Sequence, residues 1–119
     1  MSSLANRQNN LTFISENPGT FDVLCSLGEG DTDYQEGMAI NRGKTFNILV
    51  DGRELTGDVE FRWYRRMTRN GAWSPFQTVT VHPLDVYSNS IVVEGFRDVR
   101  VTATVPGVQT FYVAATISH

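Results

Sequence analysis

Arginine and aromatic side chains crowd one stretch of this 119-residue chain, VEFRWYRRMTRNGAW, at residues 59–73. Four arginines fall within eight positions of it, and two tryptophans accompany them: Arg62, Arg65, Arg66, Arg69, Trp63 and Trp73. A guanidinium donates hydrogen bonds in a planar fork and stacks on rings, and Arg, Tyr and Trp are enriched where binding energy concentrates. The stretch therefore predicts a contact surface for a partner molecule.

Alternation within the stretch predicts which side chains are available. If Val59, Phe61 and Trp63 point into a core, then Glu60, Arg62, Tyr64 and Arg66 line the opposite face, with Arg65 on the inward parity where the strand leaves the core. The simpler interpretation is a solvated face, with Arg62 and Arg66 lying over Tyr64 and paired with nearby acids, and such exposed pairs contribute little to stability. Composition leaves both interpretations open.

The remaining residues capable of chemistry do not form a catalytic or cofactor pattern. The acidic stretch GEGDTDYQEG contains an Asp-x-Asp pair but lacks the spacing of an EF-hand calcium loop, so a turn is favoured over a metal site. His82 and His119 have no Ser, Cys or metal-ligand companion at a meaningful spacing. Cys25 alternates with apolar residues, which predicts a buried, inert thiol. We expect no enzymatic activity, no metal and no cofactor.

Composition limits the classes of partner and the compartment. Ten basic and thirteen acidic residues make the chain mildly acidic, which argues against direct, nonspecific nucleic-acid binding. A single cysteine permits no internal disulfide, as is usual in a reducing compartment. The residues contain no readable signal peptide, and no apolar run approaches membrane-spanning length, so we expect synthesis in the cytoplasm and no membrane partner.

Apolar residues recur with period two along nearly the whole chain, which predicts strands. The clearest are residues 20–27, 44–52, 59–66 and 99–117, the last broken by a turn at Pro106 and Gly107. With short runs at residues 79–81 and 91–93 and weaker runs at residues 11–15 and 38–41, eight or nine short strands are predicted, without the alternation of strands and helices that a parallel sheet requires.

This pattern predicts an all-β fold: a single antiparallel β-sandwich of two sheets over residues 11–119, jelly-roll-like, with an immunoglobulin-like topology as the alternative. Residues 1–10 are polar and cannot contribute to a core. They are predicted to form an extended N-terminal arm, which is free or becomes ordered on a neighbour.

The second half of the chain contains two segments that resemble known proteins, WYRRMTRNGAWSPFQTVTV and SIVVEGFRDVRVTATVPGVQTFYVAATIS. They resemble the small β-sandwich proteins of tailed-bacteriophage virions, most of all the jelly-roll cement or decoration proteins of capsids. The resemblance implies a structural virion protein that binds the outside of the capsid, as a small oligomer, and stabilises contacts between major capsid subunits. It rests on a tryptophan-containing hairpin, a terminal hairpin rich in Thr and Val, and a polar arm.

The partners implied are the major capsid protein and copies of the chain itself. The residues predicted to bind them are Arg7, Arg62, Tyr64, Arg65, Arg66, Arg69 and Trp73. Two alternatives stay open: a tail adaptor or head-completion subunit, and a carbohydrate- or receptor-binding module of a phage tail or fibre. In that module, Trp73, Phe76, Tyr64 or Tyr87 would stack on sugar rings.

Overall fold

The computed structural model describes residues 7–23, 38–40, 43–68 and 70–118, and for residues 7–11 and 38–39 it describes the backbone alone. These residues form nine strands and no helix. The strands are β1 (Arg7–Ser15), β2 (Gly19–Asp22), β3 (Met38–Ala39), β4 (Thr45–Asp51), β5 (Val59–Arg66), β6 (Ser74–Val81), β7 (Val86–Val92), β8 (Asp98–Val105) and β9 (Gln109–Ser118). The predicted all-β class is confirmed.

The strands form two antiparallel sheets. Sheet A has the order β1-β9-β4-β7, and sheet B has the order β2-β8-β5-β6, with the short β3 also paired to β8. The pairs β5–β6, β4–β7, β2–β8 and β1–β9 describe one long antiparallel ribbon, and rolling it up brings β4 beside β9 and β5 beside β8. This winding is a jelly roll, so the favoured topology is confirmed and the immunoglobulin-like alternative is not.

The core lies between the sheets, and on the four central strands it consists of every second residue, as the predicted alternation requires. Fully or almost fully buried are Phe46, Ile48 and Val50 of β4, Val59, Phe61 and Trp63 of β5, Val99, Val101, Ala103 and Val105 of β8, and Phe111, Val113, Ala115 and Ile117 of β9. Phe111 stacks on Phe13 at 5.1 Å between ring centroids and meets Phe61 edge-on at 5.3 Å. Period-two alternation thus identifies the buried face of the four central strands.

The edges of the sheets differ from the sequence-based expectations. β1 begins at Arg7, so it overlaps the predicted arm by four residues, and its backbone pairs with β9 from Arg7↔Ile117 onward. Backbone pairing satisfies peptide groups whatever the side chains are, which is why a polar segment can continue an edge strand. The strand predicted over residues 20–27 is described only to Val23, so Cys25 and the acidic stretch lie outside the described residues.

Candidate partner-binding faces

The outward side of sheet B carries several of the predicted partner-binding residues, in what we call the arginine–aromatic cluster. Its members are Tyr64, Arg66, Trp73 and Arg100. β5 supplies Tyr64 and Arg66, β8 supplies Arg100, and Trp73 directly precedes β6, which shifts register against β5 at a β-bulge between Trp63 and Tyr64. Bulges redirect side chains next to functional surfaces.

Arg66 occupies the centre of the cluster and is largely buried. Its Nε donates a hydrogen bond to Oδ2 of Asp98 at 2.6 Å, and the two side chains are only 16% and 9% exposed. Its guanidinium carbon lies 4.2 Å from the ring centroid of Trp73. An ion pair and a cation–π contact therefore fix the indole ring on the sheet surface.

Arg100 of β8 combines an ion pair with ring contacts, as Arg66 does. It forms a two-point ion pair with Asp22 of β2, and its guanidinium carbon lies 5.6 Å from the ring of Tyr64 and 5.9 Å from that of Trp73. Trp73 thus lies near two guanidinium groups, each anchored by its own carboxylate. Such an arrangement leaves little rotamer freedom to lose when a partner binds.

Arg65 points to the other side of β5, as its inward parity predicts. Its guanidinium carbon lies 4.5 Å from the ring of Phe76 and 4.2 Å from the ring of Phe96, and Nη1 donates to the carbonyl of Val92 at 3.5 Å. Arg65 therefore closes one end of the sandwich, where its stem adds apolar cover and its charge remains at the rim.

The other predicted contact residues fall in different surroundings. Arg62 is solvated, 47% exposed, and reaches Glu60 at 3.3 Å, as the simpler interpretation expects. Arg7 starts β1, opposite Ile117, and only its backbone is described. Arg69 lies outside the described residues. The structure thus places Tyr64, Arg66 and Trp73 on one surface, leaves Arg62 solvated farther along the same face, and places Arg65 on the opposite side of β5.

Sequence reasoning missed the two acids and the arginine that complete the cluster: Asp22, Asp98 and Arg100. Alternation on β8 does place Arg100 outward, opposite Val99 and Val101. What no pattern reveals is the register, in which Arg100 pairs with Tyr64 and Asp98 with Arg66. Neighbours on adjacent strands are separated here by more than thirty residues of sequence.

The four rings proposed for sugar stacking do not share a surface. Tyr87 packs on the buried Trp63 at 5.9 Å between centroids, and Phe76 lies under Arg65. Trp73 and Tyr64 belong to the cluster, where guanidinium groups face their rings. Among the described residues, the rings named for that alternative therefore form no common aromatic platform.

The outward side of sheet A has the opposite character, and we call it the neutral face. Its described side chains are Thr12, Ile14, Thr45, Asn47, Leu49, Asp51, Val86, Ser88, Ser90, Val92, Thr110, Tyr112, Ala114, Thr116 and Ser118. Asp51 is the only charged one among them, and it is engaged by Arg53, which holds the pKa of that carboxyl at about 2. Ile14 and Val92 are 65% and 70% exposed. Depletion of charge together with exposed apolar groups is typical of the central part of a protein interface.

A ladder of neutral hydrogen bonds crosses this face. The Asn47 amide donates to the hydroxyls of Thr116 at 3.1 Å and Ser118 at 2.9 Å, and its carbonyl oxygen accepts from Ser90 at 2.7 Å. Asn47, Ser90 and Thr116 of the ladder line an open depression of about 500 Å³, together with Leu49 and Ala114. Side chains this small leave the backbone of sheet A close to the surface.

His82 and Asp58 form a separate polar pair at the β5–β6 side of the molecule. His82 Nδ1 lies 2.8 Å from Asp58 Oδ1, and both side chains are more than half exposed. The hydrogen bond to Asp58, assisted by the charge of that carboxylate, raises the pKa of His82 above its ordinary value of 6.5.

We expect this pair to make stability fall slightly as pH rises. Because the folded-state pKa is raised, the contribution is fully present below the unfolded-state value and is lost as pH rises through the folded-state value. An NMR titration of the His82 ring should give a pKa above 6.5, and Asp58→Asn should return it towards that value. A titration unchanged by Asp58→Asn would mean that the pair does not form in solution.

Neither a metal centre nor a membrane span is found in the part of the chain that is described. No three His, Cys, Asp or Glu side chains meet there as a metal ion would require. None of its segments is a helix long and apolar enough to cross a membrane.

Comparison with known proteins identifies the fold and no family. No protein-family model matches the sequence, and neither does any curated protein. Among solved structures, the PBSX exported protein XepA is similar with a TM-score of 0.64 and 9% identity, over 99% of this chain and 39% of that one. The Yersinia pseudotuberculosis-derived mitogen gives a TM-score of 0.55 and 13% identity, over 95% and 86% of the two chains. A chain from the Bacillus endospore appendages, described as a family of disulfide-linked pili, gives 0.52 and 13%, over 96% and 88%. At these identities the shared property is the β-sandwich fold.

Proposed function

We propose that this chain is a structural protein of a bacteriophage particle, which binds the outside of the capsid and stabilises contacts between major capsid subunits. The observation that carries the proposal is the arginine–aromatic cluster. Trp73 is half-buried against the anchored Arg66, with Arg100 nearby, and an aromatic residue among arginines has the composition of a binding hot spot.

The charge of this surface suggests what it binds. Arg62, Arg66, Arg97 and Arg100 pair with Glu60, Asp98 and Asp22, and Arg65 lies at the rim of the same end of the sheet. Five positive and three negative charges leave a net charge of +2, on a chain whose overall charge is −3. An acidic patch on the capsid surface is the complementary partner, because electrostatic complementarity favours encounter and fixes orientation.

The fold also supports the proposed structural role. Of the solved structures similar to this chain, one is an exported protein of phage PBSX and another belongs to a family of pili. A sandwich with two exposed faces of different character can contact two neighbours at once. Repeated presentation on a capsid then multiplies a modest contact, because each further contact of a bound oligomer is intramolecular.

The test is binding of the purified protein to particles that lack it, measured by co-sedimentation over a range of protein concentrations. Trp73→Ala is expected to weaken binding by about 2 kcal/mol, which is roughly thirty-fold in Kd, because hot-spot residues contribute on this scale. Wild-type protein should also raise the temperature at which the particles are disrupted.

Lys44→Glu is the matched control, since Lys44 is exposed and forms its ion pair with Glu94 away from the cluster. Circular dichroism establishes that both variants are folded. If Trp73→Ala binds as tightly as Lys44→Glu, the cluster is not the capsid-binding surface. If the wild-type protein does not bind particles at all, the proposed function is wrong.

A further inference from the structure

Strand β7 is an edge strand without the features that usually protect an edge. Natural edges carry charges, prolines, bulges or very short strands, which prevent pairing with another chain. Among the other described edges, β6 contains Pro75 and a bulge against β5, β2 has four residues, and β1 begins with the charged Arg7. β7 has seven residues, VYSNSIV, with no charge and no proline, and its register against β4 is unbroken.

The hydrogen bonds at the two ends of β7 establish which peptide groups face outward. The amide of Val93 donates to Lys44, and the carbonyl of Asp85 accepts from Gly52, so odd-numbered residues face β4. Because the direction alternates along a strand, Val86, Ser88, Ser90 and Val92 present their peptide groups to the open edge. Their side chains all lie on the neutral face.

The sequence of β7 is nearly the same read in either direction. Around Asn89, Ser88 mirrors Ser90 and Val86 mirrors Val92, and only Tyr87 and Ile91 differ. An antiparallel pair related by a twofold axis aligns residues in this mirrored order. The two exposed ends, Val86 at 52% and Val92 at 70% exposure, then lie opposite one another.

We propose that β7 pairs with β7 of a second copy of this chain, antiparallel about a twofold axis at Asn89. Ser88 lies opposite Ser90 of the second copy, and Val86 lies opposite Val92 of the second copy. Four such residue pairs form, each able to exchange two backbone hydrogen bonds. The two A sheets become one eight-stranded sheet, and the neutral faces join without opposing like charges across the strand junction.

Two existing contacts adjust when the strands pair. The amide of Ser90 bonds to the Asn89 side chain at 2.8 Å, and the carbonyl of Val92 accepts from Arg65 at 3.5 Å. The first is an exposed local bond, which a backbone carbonyl replaces at similar energy. The second is long, and a carbonyl oxygen can accept two bonds.

This inference deepens the proposed function, because it supplies the oligomer that repeated binding to a capsid needs. It depends on β7 alone, so its test needs no capsid. Failure to form the dimer leaves capsid binding through the arginine–aromatic cluster to be judged by co-sedimentation.

The experiment is sedimentation equilibrium of the full chain and two double variants that differ only at residue 92. Wild-type protein should dimerise. Val86→Lys with Val92→Lys places lysine opposite lysine twice, and the dimer dissociation constant should rise at least tenfold. Val86→Lys with Val92→Glu places opposite charges in the same positions, and dimerisation should return to within a few-fold of wild type.

Thr78→Lys with Thr80→Lys adds the same charge to the exposed outer face of the edge strand of sheet B, β6, and should leave the dimer intact. A wild-type protein that is monomeric at all concentrations overturns the inference. So does a dimer that persists with lysine at both positions. Dissociation by the two lysines without restoration by Val86→Lys with Val92→Glu would contradict the twofold register.

Discussion

Replacing Trp63 by alanine is expected to lower the free energy of unfolding by about 3–5 kcal/mol, the range observed when a buried aromatic ring is truncated. Trp63 is fully buried in the middle of β5, against Tyr87 and opposite Val101. Backbone pairing on both sides of β5 holds the surrounding strands in place, so they cannot move in to fill the space that the ring leaves. Urea denaturation followed by far-ultraviolet circular dichroism measures the loss.

Trp63→Phe is the informative control. The indole Nε1–H is buried and finds no hydrogen-bond acceptor among the described residues, and an unpaired buried donor costs about 1–3 kcal/mol. Phenylalanine removes that donor while it keeps a ring in the core, so we expect it to cost less than half as much as alanine. An equal loss in both variants would mean that the N–H is satisfied in solution and contributes to stability.

Replacing Asp98 by alanine is expected to cost about 2–4 kcal/mol, because removal of one member of a largely buried ion pair leaves the other charge uncompensated. Asp98 accepts the Arg66 hydrogen bond at 2.6 Å and lies 4.0 Å from Arg97. Without it, the guanidinium that stacks on Trp73 is no longer anchored. The indole signals of Trp73 in an NMR spectrum should therefore broaden or shift as the stability falls.

Glu60→Ala provides the matched comparison on the same sheet. Its partner Arg62 is nearly half exposed, and exposed pairs contribute under about 1 kcal/mol. We expect the two losses to differ several-fold. If Asp98→Ala is as mild as Glu60→Ala, the cluster is not rigid, and its role as a preorganised binding surface loses its physical basis.

The period-two alternation of apolar residues predicted the β-sandwich and the buried faces of its central strands. Each inward residue of β4, β5, β8 and β9 follows from period two, because each of these strands has one buried face. The edges were harder to predict, since a strand such as β1 is held by backbone pairing that polar residues do not prevent. The turn before β7 also departs from the usual residue preferences: Leu84 adopts a φ of 72°, where glycine or asparagine is expected.

The sequence predicted which residues belong to the candidate site but not how they are arranged in space. Arginine and aromatic content pointed to Tyr64, Arg66 and Trp73, and the structure places Arg66 against Trp73 and both rings near Arg100. Whether an arginine is solvated like Arg62 or anchored like Arg66 depends on the strand that lies alongside. That neighbour, β8, comes from a distant part of the chain, and local periodicity carries no information about it.

The copy number of this protein in purified particles tests the central claim most directly. Quantitative mass spectrometry of intact particles gives the molar ratio of this chain to the major capsid subunit. A protein that stabilises capsid contacts should be present at a ratio comparable to that of the subunit itself. A handful of copies would place it at a tail or portal position instead, and absence from purified particles would contradict the account.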